Sequence, residues 1–141
     1  MSASYNLERF VQAQDYVIDT VLTELKKGCK QSHWMWFVFP QLKGLGRSST
    51  SHFYGISGIS EAIEYVKHPI LWERYNACLN AVLQSGVNNP VKIFGHTDSQ
   101  KFLSSLTLFS YADKNNELIN KSIQKFYSGI TDYDTEKLLN V

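Results

Sequence analysis

Apolar side chains recur at three- and four-residue steps along nearly the whole chain. The first stripe, Leu7, Phe10, Val11, Val17, Ile18, Val21, Leu22 and Leu25, with Gln14 on the same line, predicts one long amphipathic helix. Ser4 or Asn6 is placed to cap its start, and Lys26-Lys27-Gly28 ends it with cations and a residue that tolerates left-handed backbone. Ser32 is placed to cap a short second helix that Pro40 must end or kink. The stretch from Trp34 to Phe39 is apolar on nearly every helical face, which predicts burial from several sides.

The rest of the chain repeats the pattern with clear punctuation. Ser48 to Tyr54 reads as a short helix before Gly55 and Gly58, and Ser60 caps Glu61 to Val66. Pro69, after His68, opens a helix carrying Leu71, Trp72, Tyr75, Cys78, Leu79, Val82 and Leu83, closed by Gly86. Asn89-Pro90 repeats the device for a turn ending at Gly95. Asp98 caps a helix through Phe102, Leu103, Leu106 and Phe109. Asn115 opens another with Leu118, Ile119, Ile123 and Phe126, and Asp134 caps a last turn with Leu138 and Leu139. The expectation is an all-α, compact single-domain bundle over residues 1–141 with several short helices. Phe37 to Phe39 is the place for a short strand should one exist.

Composition narrows the classes. With 43% apolar and 13% aromatic residues, 141 residues supply a packed core. A net charge of +1 gives no global reason to expect nucleic acid or a membrane surface. Cys29 and Cys78 have no metal-ligand spacing and make no disulfide scaffold, so neither a metal nor a cofactor is expected. The start, Met1 to Asn6, lacks the basic and apolar regions of a signal peptide, and no stretch approaches ~20 apolar residues. A soluble cytoplasmic protein is therefore expected, with its oligomeric state open.

Several segments together carry a family likeness. They are Leu7 to Gln14, Ser32 to Gln41, Gly44 to Ser48, Tyr54-Gly55-Ile56, Glu61-Ala62, His68-Pro69, Phe94-Gly95 and Ser104 to Phe109. On these the chain resembles the family catalogued as domain of unknown function 1810, over almost its whole length. The resemblance implies a stand-alone, mainly helical domain and transfers no catalytic role. Some relatives bear the name calpastatin, an inhibitor that acts through extended segments and does not need this aromatic core.

Candidate chemistry concentrates in two places. The run from His33 to Gln41 holds Trp34 and Trp36 and leads into Lys43-Gly44-Leu45-Gly46-Arg47-Ser48. On a helix His33 would share a face with Trp36, Phe37 and Pro40. It reads either as a tuned proton carrier or as a neutral core histidine. Gln41 offers donor and acceptor to a ligand, or caps backbone left open by Pro40. Trp34 and Trp36 point to different sides, each as core or as a pocket wall. Gly44 and Gly46 permit close backbone approach to an anion, Arg47 can fork onto a phosphate, and Ser48 adds a helix start. The same residues also make an ordinary turn. The second place is Asp98, Lys101, Ser104 and Ser105, polar positions three, four and seven apart on an apolar helix. Glu61, Glu64 and His68 read as a solvated face.

The expected function is a small-molecule enzyme acting on a phosphate-bearing planar ligand, nucleotide-like or ADP-ribose-like. In that reading Arg47 and the glycine amides hold the phosphate, Trp34 or Trp36 stacks, and Asp98 or His33 moves the proton. The alternative is a ligand-sensing or protein-interaction module without catalysis.

Overall fold

Every residue from Phe102 to Phe109 is buried, serines and threonine included. A helix hidden on all faces has to be the axis of the molecule, and the computed structural model, which describes residues 5–141, builds the chain around it. Ten helices occur among the described residues: α1 (Glu8–Asp15), α2 (Ile18–Lys27), α3 (Met35–Val38), α4 (Ser49–Phe53), α5 (Ile59–Lys67), α6 (Pro69–Gln84), α7 (Pro90–Phe94), α8 (His96–Ala112), α9 (Glu117–Tyr127) and α10 (Tyr133–Leu139). The fold is all-α. Helices α5, α7, α9 and α10 pack on α8, while α6 bridges α2, α5 and α9. The buried apolar side chains form one continuous cluster from Phe10 to Phe126.

The long first helix is two helices. At Tyr16 and Val17 the ladder tightens, with the Val17 amide turned back to the Gln14 carbonyl (3.0 Å), and it restarts where Val21 donates to Val17. Both halves keep the same apolar stripe, so the periodicity alone cannot reveal the break. Ser4, one of the two expected caps, lies outside the described residues, and no side chain caps α1, which follows Leu7. Gly28 is left-handed as expected, and a β-carbon there would come within 2.5 Å of Val87.

The aromatic run is held by an acid the spacing does not flag. Glu24 is buried and accepts hydrogen bonds from the Gln31 amide (2.8 Å), the Ser32 amide (3.1 Å), the Ser32 hydroxyl and the Trp34 indole (3.0 Å). Ser32 is therefore not a cap, and α3 starts only at Met35. Trp34, Met35, Val38 and Phe39 are buried, with the Phe39 ring edge-on to Phe102 at 4.8 Å. Trp36 and Phe37 are only half-buried. No strand forms at Phe37 to Phe39. After Pro40 a single parallel bridge joins Leu42 to Ile56, with Gly55 so close to Lys43 that a β-carbon would meet its Cα at 2.7 Å.

Glu61 corrects the solvated-face expectation. It is buried and pairs with Arg9 at 3.0 Å, and Arg9 also donates to the Phe53 and Gly55 carbonyls. Of its two companions, Glu64 pairs with Lys67 at 3.6 Å, and His68 caps α6 through Leu71. Other caps sit one or two residues from their expected places: Gly58 before α5, Asn116 before α9, Asp132 before α10. Helix α8 begins after Gly95, two residues before the expected Asp98 cap.

Candidate functional site

On α8, Thr97, Gln100, Lys101 and Ser104 fall three, four and seven residues apart and share one face. That face lines a cleft of about 230 Å³, together with Gln41, Leu45 and Gly46 from the loop after α3 and Asp132 and Asp134 from the start of α10. A wider depression of about 640 Å³ continues from it, lined by Gly44, Leu45, Asp134, Lys137, Leu138 and Asn140. Leu45 and Asp134 belong to both, so the loop and α10 are opposite walls of one groove.

Electrostatically the cleft has two ends. At one, Lys101 reaches Asp98 at 3.2 Å and lies over the Trp36 ring at 4.4 Å. Asp98 also receives Lys30 at 2.9 Å, and Lys30 lies over Trp34 at 5.1 Å while donating to the Ser32 carbonyl. Two ammonium groups share one carboxylate, which leaves one positive charge in excess. Lys30 is 7% exposed and Lys101 22%, so that excess reaches the cleft through Lys101. At the other end Asp132 accepts from Ser104 (3.1 Å) and caps α10 through the Thr135 amide, while Asp134 is exposed.

The expected site residues divide accordingly. Gln41, Gly46, Lys101 and Ser104 converge on the cleft, and Gly44 lines its extension. Asp98 and Trp36 stand behind Lys101. His33 is exposed and precedes α3, because Ser32 is bound to Glu24; the helical face it was to share with Trp36 does not exist. Trp34 is core. Arg47 is exposed and outside the cleft lining, and Ser48 caps α4 through the Ser51 amide at 3.1 Å. Ser105 turns inward to the Tyr75 hydroxyl at 2.9 Å, because it and Asp98 lie about 80–100° around α8 from the cleft face.

Thr97, Gln100, Lys30, Asp132 and Asp134 were missed. Thr97 and Gln100 were legible, since they complete the helical spacing of Lys101 and Ser104. The other three join only through tertiary packing.

The buried phenols take no part. Burial pushes Tyr65 and Tyr75 far above the ordinary phenol range, and it drives the Cys78 thiol up to about 12.

These features define an all-α domain wound around one central helix, with a polar groove between a glycine-bearing loop and the last helix. The chain belongs to the family described as protein of unknown function DUF1810, whose match spans residues 4–139. It is similar to the crystal structure of the conserved hypothetical protein Rv1873 from Mycobacterium tuberculosis, at 43% identity and a TM-score of 0.94, over 97% of this chain and 98% of that one. No curated protein matches the sequence. No helix is long and apolar enough to cross a membrane among the described residues.

Proposed function

We infer that the groove binds a small phosphate-bearing polyol, a sugar phosphate or the ribose phosphate of a nucleotide, with the anion at Lys101 and hydroxyls at Asp134. The observation that carries this reading is the Lys30–Asp98–Lys101 triad, whose excess positive charge reaches the cleft beside Gly46. An exposed carboxylate such as Asp134 accepts sugar hydroxyls in the way acidic residues hold a ribose in nucleotide sites. No aromatic ring lines the cleft, and the Trp36 face carries Lys101, so a planar base would extend into the wider depression.

Binding ranks ahead of catalysis because Asp98 is engaged by two ammonium groups and His33 stands apart. One observation favours an enzyme on the same ligand: Asp134 is a carboxylate open to the groove and able to move a proton. Thermal-shift titration with ribose 5-phosphate, nucleoside monophosphates and ADP-ribose tests the reading. The wild type should be stabilised and Lys101→Met should not respond. A wild type that ignores all of them at millimolar concentration rules the reading out. Turnover unaffected by Asp134→Asn would exclude that carboxylate from chemistry.

A further inference from the structure

Helices α9 and α10 follow one another, yet they are attached by different forces. Helix α9 buries Ile119, Ile123 and Phe126. Helix α10 buries only Thr135, while Tyr133 is 71% exposed and Leu138 53%. Leu139, half-buried at its far end, touches the core, and its remaining anchors are polar. The Asp132 amide donates to the Thr107 hydroxyl (2.9 Å), Ser104 donates to the Asp132 carboxylate (3.1 Å), and Glu136 accepts from Tyr111 of α8 (2.6 Å). Water can replace each of these bonds when the helix lifts, whereas exposing the α9 stripe has no such compensation.

The junction suits a hinge. Ser128 and Gly129 are successive left-handed residues, at φ 55° and 81°, and Ile130 beyond them is 68% exposed. Ser128 holds a backbone conformation that non-glycine residues disfavour. The turn is closed by two backbone bonds at its exposed end that water can replace, Gly129 amide to Ile123 carbonyl (3.1 Å) and Ile130 amide to Tyr127 carbonyl (3.0 Å). On the far side of the groove stands the loop of Gln41, Leu45 and Gly46, which α10 faces through Asp132, Asp134, Lys137 and Leu138.

We propose that α10 is a strap that opens as a separate unit about Ser128–Gly129 and, in opening, removes the acidic wall of the groove. The strap regulates access to the site inferred above and in that respect rests on that reading. Its separate opening does not.

Hydrogen exchange on the full-length, ligand-free protein decides the matter. Amides of α10 should exchange at least about a hundredfold faster than those of α8 and α9. The variant Tyr111→Phe, which removes the α8 donor to Glu136, should speed α10 by about tenfold or more and leave α6 and α9 unchanged. Exchange of α10 at the rate of α8 overturns the strap, as does a variant that accelerates all helices equally. Ribose 5-phosphate is added in a second arm. Slower α10 exchange on its addition supports regulation of the site. Unchanged exchange alongside a normal thermal shift overturns that regulation, and the absence of both responses overturns the binding reading while the ligand-free data still judge the strap.

Discussion

Two carboxylates stand next to two tryptophans in this protein, and they behave differently. Glu24 meets Trp34 inside the core, where four donors converge on its two oxygens. Asp98 is linked to Trp36 through Lys101 at the edge of a groove, with Lys30 and Lys101 on either oxygen and each ammonium over one of the two indoles. The first group is saturated by neutral donors and keeps its own charge enclosed. The second is over-matched, and the unmatched cation faces solvent. A saturated acid organises a loop, whereas an over-matched one leaves charge available to a ligand.

The largest effect should come from the tryptophans. Trp34→Ala removes a fully buried ring and one Glu24 donor, and should cost about 3–5 kcal/mol in denaturant unfolding. Trp36→Ala, at a half-buried ring, should cost roughly 1 kcal/mol. Equal losses would erase the distinction between the two regions.

Acid should separate the carboxylates next. Burial opposes ionisation of Glu24, but the Ser32 hydroxyl, the Gln31 and Ser32 amides and the Trp34 indole outweigh it and hold the group at about 2, below its ordinary 4.5. Between those values the unfolded chain binds the proton and the folded one does not. The stabilisation is therefore complete above pH 4.5 and lost as pH falls towards 2. It amounts to about 3 kcal/mol, and Glu24→Gln should flatten that limb of the stability curve. An unchanged acid limb in the variant would mean that Glu24 is not the proton-linked group.

Lys101→Met should change stability by less than about 1 kcal/mol, because its partner Asp98 keeps Lys30, yet it should abolish the thermal shift with a sugar phosphate. Retained binding would move the anion site elsewhere. The smallest effect belongs to Arg47→Ala. At an exposed position outside the cleft, it should alter stability by no more than about 0.5 kcal/mol and leave binding intact. A lost thermal shift there would restore the glycine-loop grip and demote Lys101.

Much of the fold was legible because helices advertise themselves locally. The stripe through Ile119, Ile123 and Phe126, the His68-Pro69 start and the left-handed Gly28 all landed where the periodicity and punctuation put them. The errors have physical causes. The break at Tyr16 keeps the apolar stripe in phase, so a period count passes straight over it. Caps slipped by a residue or two because Asn115 and Asn116, or Asp132 and Asp134, offer the same chemistry. Glu61 read as solvated because nothing near it in sequence reveals Arg9, fifty-two positions upstream.

The site was legible in part, and for the same reason. Lys101 and Ser104 stood out as polar breaks in an apolar helix, and Thr97 with Gln100 completes their face. His33 lies apart from the cleft because Ser32 ahead of it is bound by Glu24 from a different helix and α3 begins only at Met35. By itself the sequence determined the all-α class, most helix boundaries and the two polar segments, since these depend on side chains within a turn or two of each other. Tertiary structure alone decided that Asp132 and Asp134 close the groove opposite Gly46 and that Lys30 shares Asp98 with Lys101. Those pairings join segments far apart in the chain, and only packing around α8 brings them to one groove and one carboxylate.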